Sequence, residues 1–130
     1  MTSDGHVLEI WINPVCSKCR TAKAELDAAG VAYVERRYLD EPPTPAELAD
    51  VLGRLRLEPW DLARPAELRE AGIDLPRDPE RRQDWIAAMV AHPRTIQRPI
   101  ITTTDGTTVV ARDAGSLESV IEHQRRDGQR

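Results

Sequence analysis

Two thiols three positions apart, Cys16 and Cys19, sit in the segment Asn13-Pro14-Val15-Cys16-Ser17-Lys18-Cys19-Arg20. That spacing suits attack by a thiolate, dithiol–disulfide exchange, or half of a zinc site. The apolar run Val7-Leu8-Glu9-Ile10-Trp11-Ile12 reads as a strand and Thr21 to Ala29 has helical periodicity, so Cys16 falls at a strand-to-helix junction with free backbone N–H groups ahead of it. Such a helix N-terminus, with Lys18 and Arg20 close by, lowers a cysteine pKa from about 8.5 into a range of roughly 3.5–7.5. The same N–H groups offer a docking place for an oxyanion. The preceding Asn-Pro marks a loop tip rather than a core position for Cys16. Cys19 shares an apolar helical face with Ala22 and Leu26, so a resolving thiol and a core filler both fit that position. A zinc site lacks its second pair, because His6, His92 and His123 lie far away without ligand spacing, and no metal is expected.

Arginine makes the second constellation. Arg98 precedes Pro99 at the entry to a predicted strand, Arg64 lies between Ala63 and Pro65, and Arg112 follows another predicted strand. A guanidinium fork binds a tetrahedral oxyanion through charge-assisted hydrogen bonds of roughly 1.5–3 kcal/mol each when desolvated. Spacing alone assigns all three to solvated surface, as it does the pairs Arg36-Arg37, Arg81-Arg82 and Arg125-Arg126. Asp40 and Glu41, ahead of Pro42-Pro43, read as loop solvation.

The elements that must position these groups follow from periodicity. Val31 to Tyr38 alternates as a second strand after a helix ending at Gly30, which completes a βαβ unit. Thr44-Pro45-Ala46-Glu47 combines a capping box with proline at the first helical position and predicts a helix from Pro45 to about Arg56. The stretch from Pro59 to Pro79 reads as a loop-rich helical insertion with one short helix around Ala66 to Ala71. Asp78-Pro79 starts another helix, with Trp85, Ile86, Met89 and Val90 as its apolar stripe. Ile100 to Thr104 and Thr107 to Val110 flank Asp105-Gly106, the signal for a two-residue hairpin turn, and a helix from about Ser116 to Gln124 precedes a frayed polar tail.

The order β-α-β, helices, β-β-α predicts an α/β, thioredoxin-like fold with a helical insertion and a mixed four-stranded sheet, formed as one domain over residues 1–130. A net charge of −4 gives no overall attraction to nucleic acid. No apolar run approaches the roughly 18–20 residues of a membrane span, and Met1-Thr2-Ser3-Asp4-Gly5-His6 lacks the regions of a signal peptide, so a cytoplasmic location is expected.

These residues resemble the ArsC-type arsenate reductases of the thioredoxin-like class and their relative Spx, a redox-sensing transcriptional regulator. The resemblance runs from about Leu8 to Val120 and is carried by the cysteine segment, Tyr38-Leu39, Pro42-Pro43-Thr44, Glu47-Leu48, Leu62-Ala63-Arg64, His92-Pro93, Arg98-Pro99-Ile100 and Gly106 through Arg112. It implies that Cys16 is the nucleophile that attacks arsenate, that Arg64, Arg98 and Arg112 bind the oxyanion, and that Pro99 is a cis-proline beside the cysteine. Asn13, Lys18 and Arg20 would support the site. No bound cofactor is implied; electrons would come from a low-molecular-weight thiol or a small redox protein of glutaredoxin or thioredoxin type. Neither a membrane nor direct nucleic-acid binding is implied. Two positions depart from the plasmid-type reductases: Ile12 stands where they have histidine, and Cys19 stands where they have no cysteine but Spx has one. The CxxC leaves open an Spx-like Cys16–Cys19 disulfide switch or a generic thiol-disulfide oxidoreductase beside the reductase.

Overall fold

The computed structural model describes residues 7–128. The readings made on Met1 to His6 and on residues 129–130 therefore lie outside the described residues. The chain divides into two compact units, one of residues 7–37 with 98–128 and one of residues 38–97.

In the first unit, β1 (Leu8–Ile12) leads into α1 (Ser17–Ala28) and then β2 (Tyr33–Arg37), with β3 (Ile100–Thr102), β4 (Thr108–Val110) and α6 (Ala114–Gly128) following the insertion. The sheet order is β2-β1-β3-β4, parallel between β1 and β2 and antiparallel at the other two pairings. That mixed four-stranded sheet is the one the element order predicts. Leu8, Ile10 and Ile12 alternate onto one face and pack with Cys19, Ala22 and Leu26 of α1, Ile101 of β3, and Leu117 and Val120 of α6. Fully burying side chains of this size contributes roughly 1.5–3 kcal/mol each. α1 stops where Gly30, at φ +70, lets the N–H of Val31 reach the carbonyl of Leu26 at 3.0 Å, a conformation open to glycine without a Cβ penalty.

The hairpin differs from the expected two-residue turn. The Thr103 N–H donates to the Thr107 carbonyl at 2.8 Å and the Gly106 N–H to the Thr103 carbonyl at 3.0 Å, which leaves a three-residue loop, Thr104-Asp105-Gly106, with Gly106 at φ +89. A tight turn followed by a left-handed glycine is the next commonest hairpin solution. α6 also runs further than its periodicity indicates. Gln124 accepts the Thr104 N–H at 2.9 Å, Asp127 accepts from the Thr104 hydroxyl, and Arg125 donates to the Ala29 carbonyl at 3.1 Å, so residues 125–128 are helical rather than frayed.

The second unit is helical. α2 (Pro45–Leu55) carries both halves of the predicted capping box, Glu47 N–H to Thr44 Oγ1 at 3.1 Å and Thr44 N–H to Glu47 Oε1 at 2.9 Å. It ends one residue earlier than expected because Arg56 adopts the left-handed conformation at φ 58. The insertion holds two helices, α3 (Pro59–Leu62) and α4 (Pro65–Ala71), of which the first escapes a periodicity search because it is a single turn. The helix begun by Asp78-Pro79 is a 3-10 turn over Pro79–Arg81 that passes into α5 (Arg82–Ala91). Trp85, Ile86 and Met89 of its stripe are buried, with Trp85 edge-on to Trp60 at 5.9 Å. Among the described residues no helix is long and apolar enough to cross a membrane.

Candidate functional site

β1 ends at Ile12, and the four residues 13–16 carry the chain from the sheet into α1. Cys16 occupies the N-cap of α1 in an extended conformation (φ −79, ψ 128), a position usually held by Ser, Thr, Asp or Asn. Its side chain makes no capping hydrogen bond as a thiol, but the second and third backbone N–H groups of the helix, Lys18 and Cys19, are disposed to stabilise a sulfur anion. Partial burial pushes the Cys16 thiol up, while the Cys19 N–H, the Arg98 side chain, the Cys19 thiol and the Lys18 N–H together outweigh burial and bring it down to about 7. The expectation of a lowered pKa holds, but by a different route. Lys18 contributes its backbone N–H rather than its ammonium, Arg20 is exposed, and the charged group is Arg98, brought in from the strand entry by the tertiary fold.

Cys19 is fully buried and packs with Ala22 and Leu26 in the core. Burial pushes its thiol up to about 12, opposed by the Asn13 N–H that donates to its sulfur at 3.4 Å, and reinforced by the charge of Cys16. Cys19 thus fills the core position that its apolar helical face predicts, with Cys16 packed against the same cluster. Both cysteines are free; the Cys16 thiol is brought down toward neutrality, and burial holds Cys19 protonated.

The Arg98–Pro99 bond is cis, as the resemblance implies. Arg112 Nη1 donates to the Arg98 carbonyl at 2.7 Å, so it braces the backbone that carries the guanidinium beside Cys16. Lys18 and Arg112 also line one cavity of about 320 Å³ with Thr21, Asp113, Leu117 and Glu118. Arg64 belongs to the helical unit. It is the N-cap residue of α4, its Nη1 donates to Gln97 Oε1 at 2.9 Å, and its Nε pairs with Glu67 Oε1 at 3.1 Å. The i,i+3 spacing of Arg64 and Glu67 was the available sequence signal for that partner; Gln97, distant in the chain, left none. The free N–H groups expected ahead of Cys16 are fewer than the junction suggests. The Cys16 N–H is bonded to the Asn13 carbonyl at 3.0 Å and the Val15 N–H to Asn13 Oδ1 at 3.2 Å. Among the pairs assigned to solvated faces, Arg36 lies over the Trp11 ring at 5.6 Å and Arg82 pairs with Glu58, whereas Arg81 and Arg126 make exposed i,i+3 and i,i+4 pairs. Among the described residues no group of three or more His, Cys, Asp or Glu side chains could hold a metal ion.

No protein-family model matches the sequence. The chain is 32% identical over 118 residues to a protein named arsenate reductase from Neisseria meningitidis, an alignment covering 88% of this chain and 97% of that one. It belongs to the ArsC arsenate reductase family. An uncharacterized protein in the glnII region of Streptomyces viridochromogenes is 54% identical over 117 residues, covering 88% of this chain and 98% of that one. The arsenate reductase from Vibrio cholerae has a solved structure that matches with a TM-score of 0.73 at 30% identity, over 89% of this chain and 96% of that one. The chain is also 26% identical over 98 residues to a protein named global transcriptional regulator Spx 1 from Lactococcus lactis, covering 74% of this chain and 75% of that one. The ArsC-family fold is thioredoxin-like, with residues 38–97 as the helical insertion between β2 and β3.

Proposed function

We propose that this ArsC-family protein is a cytoplasmic, thiol-dependent arsenate reductase with Cys16 as its nucleophile. The observation that carries the proposal is the Cys16 thiol, brought to about 7 at a helix N-cap beside Arg98, with a second thiol at its back. The Cys16 thiolate attacks arsenic of arsenate; a sulfur–arsenic bond forms and one oxygen leaves, protonated, as water. Arg98 and Arg112 stabilise the charge on the remaining oxygens, a role the resemblance also implies for Arg64. A second thiolate, from Cys19 or from a low-molecular-weight thiol, then attacks the Cys16 sulfur. A disulfide forms, the sulfur–arsenic electron pair stays on arsenic, and arsenic(V) leaves as arsenite. An external small thiol or a glutaredoxin- or thioredoxin-type protein restores the dithiol, and no bound cofactor takes part. Burial keeps Cys19 protonated and out of competition for substrate, so as the resolving group it has to lose its proton as it attacks the Cys16 adduct.

The test is consumption of thiol by the purified protein with and without arsenate, across several donors. Cys16→Ser is expected to abolish arsenate-dependent turnover, and Arg98→Ala to weaken it far more than Arg81→Ala. Full activity in Cys16→Ser, or equal effects of the two arginine changes, refutes the reading.

The contact between Cys16 and Cys19 favours one alternative, an Spx-like regulator in which their disulfide switches the binding of a protein partner. A third reading, thiol-disulfide exchange without an oxyanion, predicts turnover of small disulfides that is indifferent to Arg98→Ala. Absence of arsenate turnover with every donor, together with a partner captured only in one redox state, would favour the regulator.

A further inference from the structure

Asn13 is the one polar side chain of the loop between β1 and α1 that is buried, at 9% exposure. It makes three bonds. Its Oδ1 accepts the Val15 N–H at 3.2 Å, its carbonyl accepts the Cys16 N–H at 3.0 Å, and its own N–H donates to Cys19 Sγ at 3.4 Å. A single residue thus holds the backbone entering Cys16 on one side and the sulfur of Cys19 on the other.

The rest of the loop has little else to fix it. Pro14 is exposed and Val15 is 80% exposed, so neither side chain is anchored by packing. Proline pre-sets one dihedral but cannot donate a hydrogen bond, which leaves the side chain of Asn13 to close the turn onto its own backbone two residues ahead. The turn sets the extended backbone of Cys16 at the N-cap, and the N-cap geometry presents the Lys18 and Cys19 N–H groups to the sulfur.

We infer that Asn13 is a positioning residue for the nucleophile, its side chain closing the Asn13–Val15 turn that seats Cys16 at the α1 N-cap while its backbone N–H engages Cys19. The inference rests on the nucleophile reading of Cys16. The charged and titratable groups that face the Cys16 sulfur are the Arg98 guanidinium and the Cys19 thiol, and Asn13→Ala alters neither directly.

The experiment is the pH dependence of Cys16 alkylation by iodoacetamide, in which the thiolate displaces iodide, followed by mass spectrometry for the wild type and for Asn13→Ala. With the turn released, the midpoint is expected to rise by about one pH unit from near 7, lowering the rate at pH 6 about threefold and raising the alkaline plateau about threefold, because the more basic thiolate is the stronger nucleophile. A merely structural role would lower the unfolding midpoint and leave the alkylation midpoint in place, and that result overturns the inference. An ordinary thiol midpoint in the wild type would instead refute the nucleophile reading, and the inference with it. A second measurement needs no variant: the Val15 amide of the wild type should exchange with solvent at least about tenfold more slowly than in an unfolded chain, despite its exposed side chain. Exchange at the unfolded rate overturns the inference even if Asn13→Ala does not fold.

Discussion

At neutral pH, limited treatment with iodoacetamide should label Cys16 and leave Cys19 intact. With the Cys16 thiol at about 7, half of it is thiolate at pH 7; with Cys19 at about 12, the thiolate fraction is about one part in 100,000. Their ratio is about 50,000. A more basic thiolate is also the stronger nucleophile, and a sensitivity of about 0.45 per pKa unit, as for thiolate attack on disulfides, returns a factor of roughly 180 to Cys19 over five units. The chemical preference for Cys16 is therefore roughly 300-fold before access is considered. Full burial of Cys19 in the α1 core face can only widen it. The assay is short alkylation of the reduced protein at pH 7, proteolysis, and quantification of the two modified positions by mass spectrometry. The rate at Cys16 should rise through a midpoint near pH 7, because only the thiolate reacts. Labelling of Cys19 within tenfold of Cys16, or a Cys16 midpoint near the ordinary value of 9.0, would show that the helix N-terminus and Arg98 do not act on the thiol as described.

Two further outcomes concern the framework. The Asp105 carboxyl is held well below the usual range, first by the Thr103 hydroxyl, then by the Thr107 N–H and by His123. A carboxyl depressed in the folded state stabilises it above its ordinary value near 3.8 and loses that contribution as pH falls below it. Asp105→Asn should therefore flatten the fall in urea-unfolding midpoint between pH 5 and pH 3, and an unchanged slope would remove the hairpin–α6 clasp as a source of acid sensitivity. Thr44→Ala, which deletes one half of the α2 capping box, should cost about 1 kcal/mol in the same unfolding assay, and no measurable loss would mean that the cap is redundant.

Features set by local physics were legible from residue order. The capping box at Thr44 and Glu47, the glycine stop after α1, the apolar stripe of α5 and the placing of Cys16 ahead of a helix each involve residues within a turn or two of one another, so spacing alone specifies them. Local signals also had limits. Asp105-Gly106 matched a two-residue turn, but cross-strand bonding moved the closing pair to Thr103 and Thr107 and widened the loop to three residues. Polar residues 125–128 carried no apolar periodicity, yet side-chain bonds from Gln124 and Asp127 back to Thr104 hold α6 through Gly128.

The sequence by itself determined that a thiol would stand at a helix N-terminus with a second thiol one turn further on the apolar face. Only the tertiary structure decided which charge faces that thiol. Arg98 lies 82 positions beyond Cys16 in the chain, and no spacing rule ties the two; the antiparallel pairing of β3 with β1 brings the start of β3 to the end of β1, and so the arginine to the sulfur. Tertiary packing likewise decides the fate of Cys19, which is 0% exposed in the core cluster it shares with Ile10 of β1, Ile101 of β3 and Leu117 of α6. A pKa is set by the field and solvent at an atom, both of which depend on long-range packing, and this is why the chemistry-bearing residues could be named from their order while the difference between the two thiols required the fold.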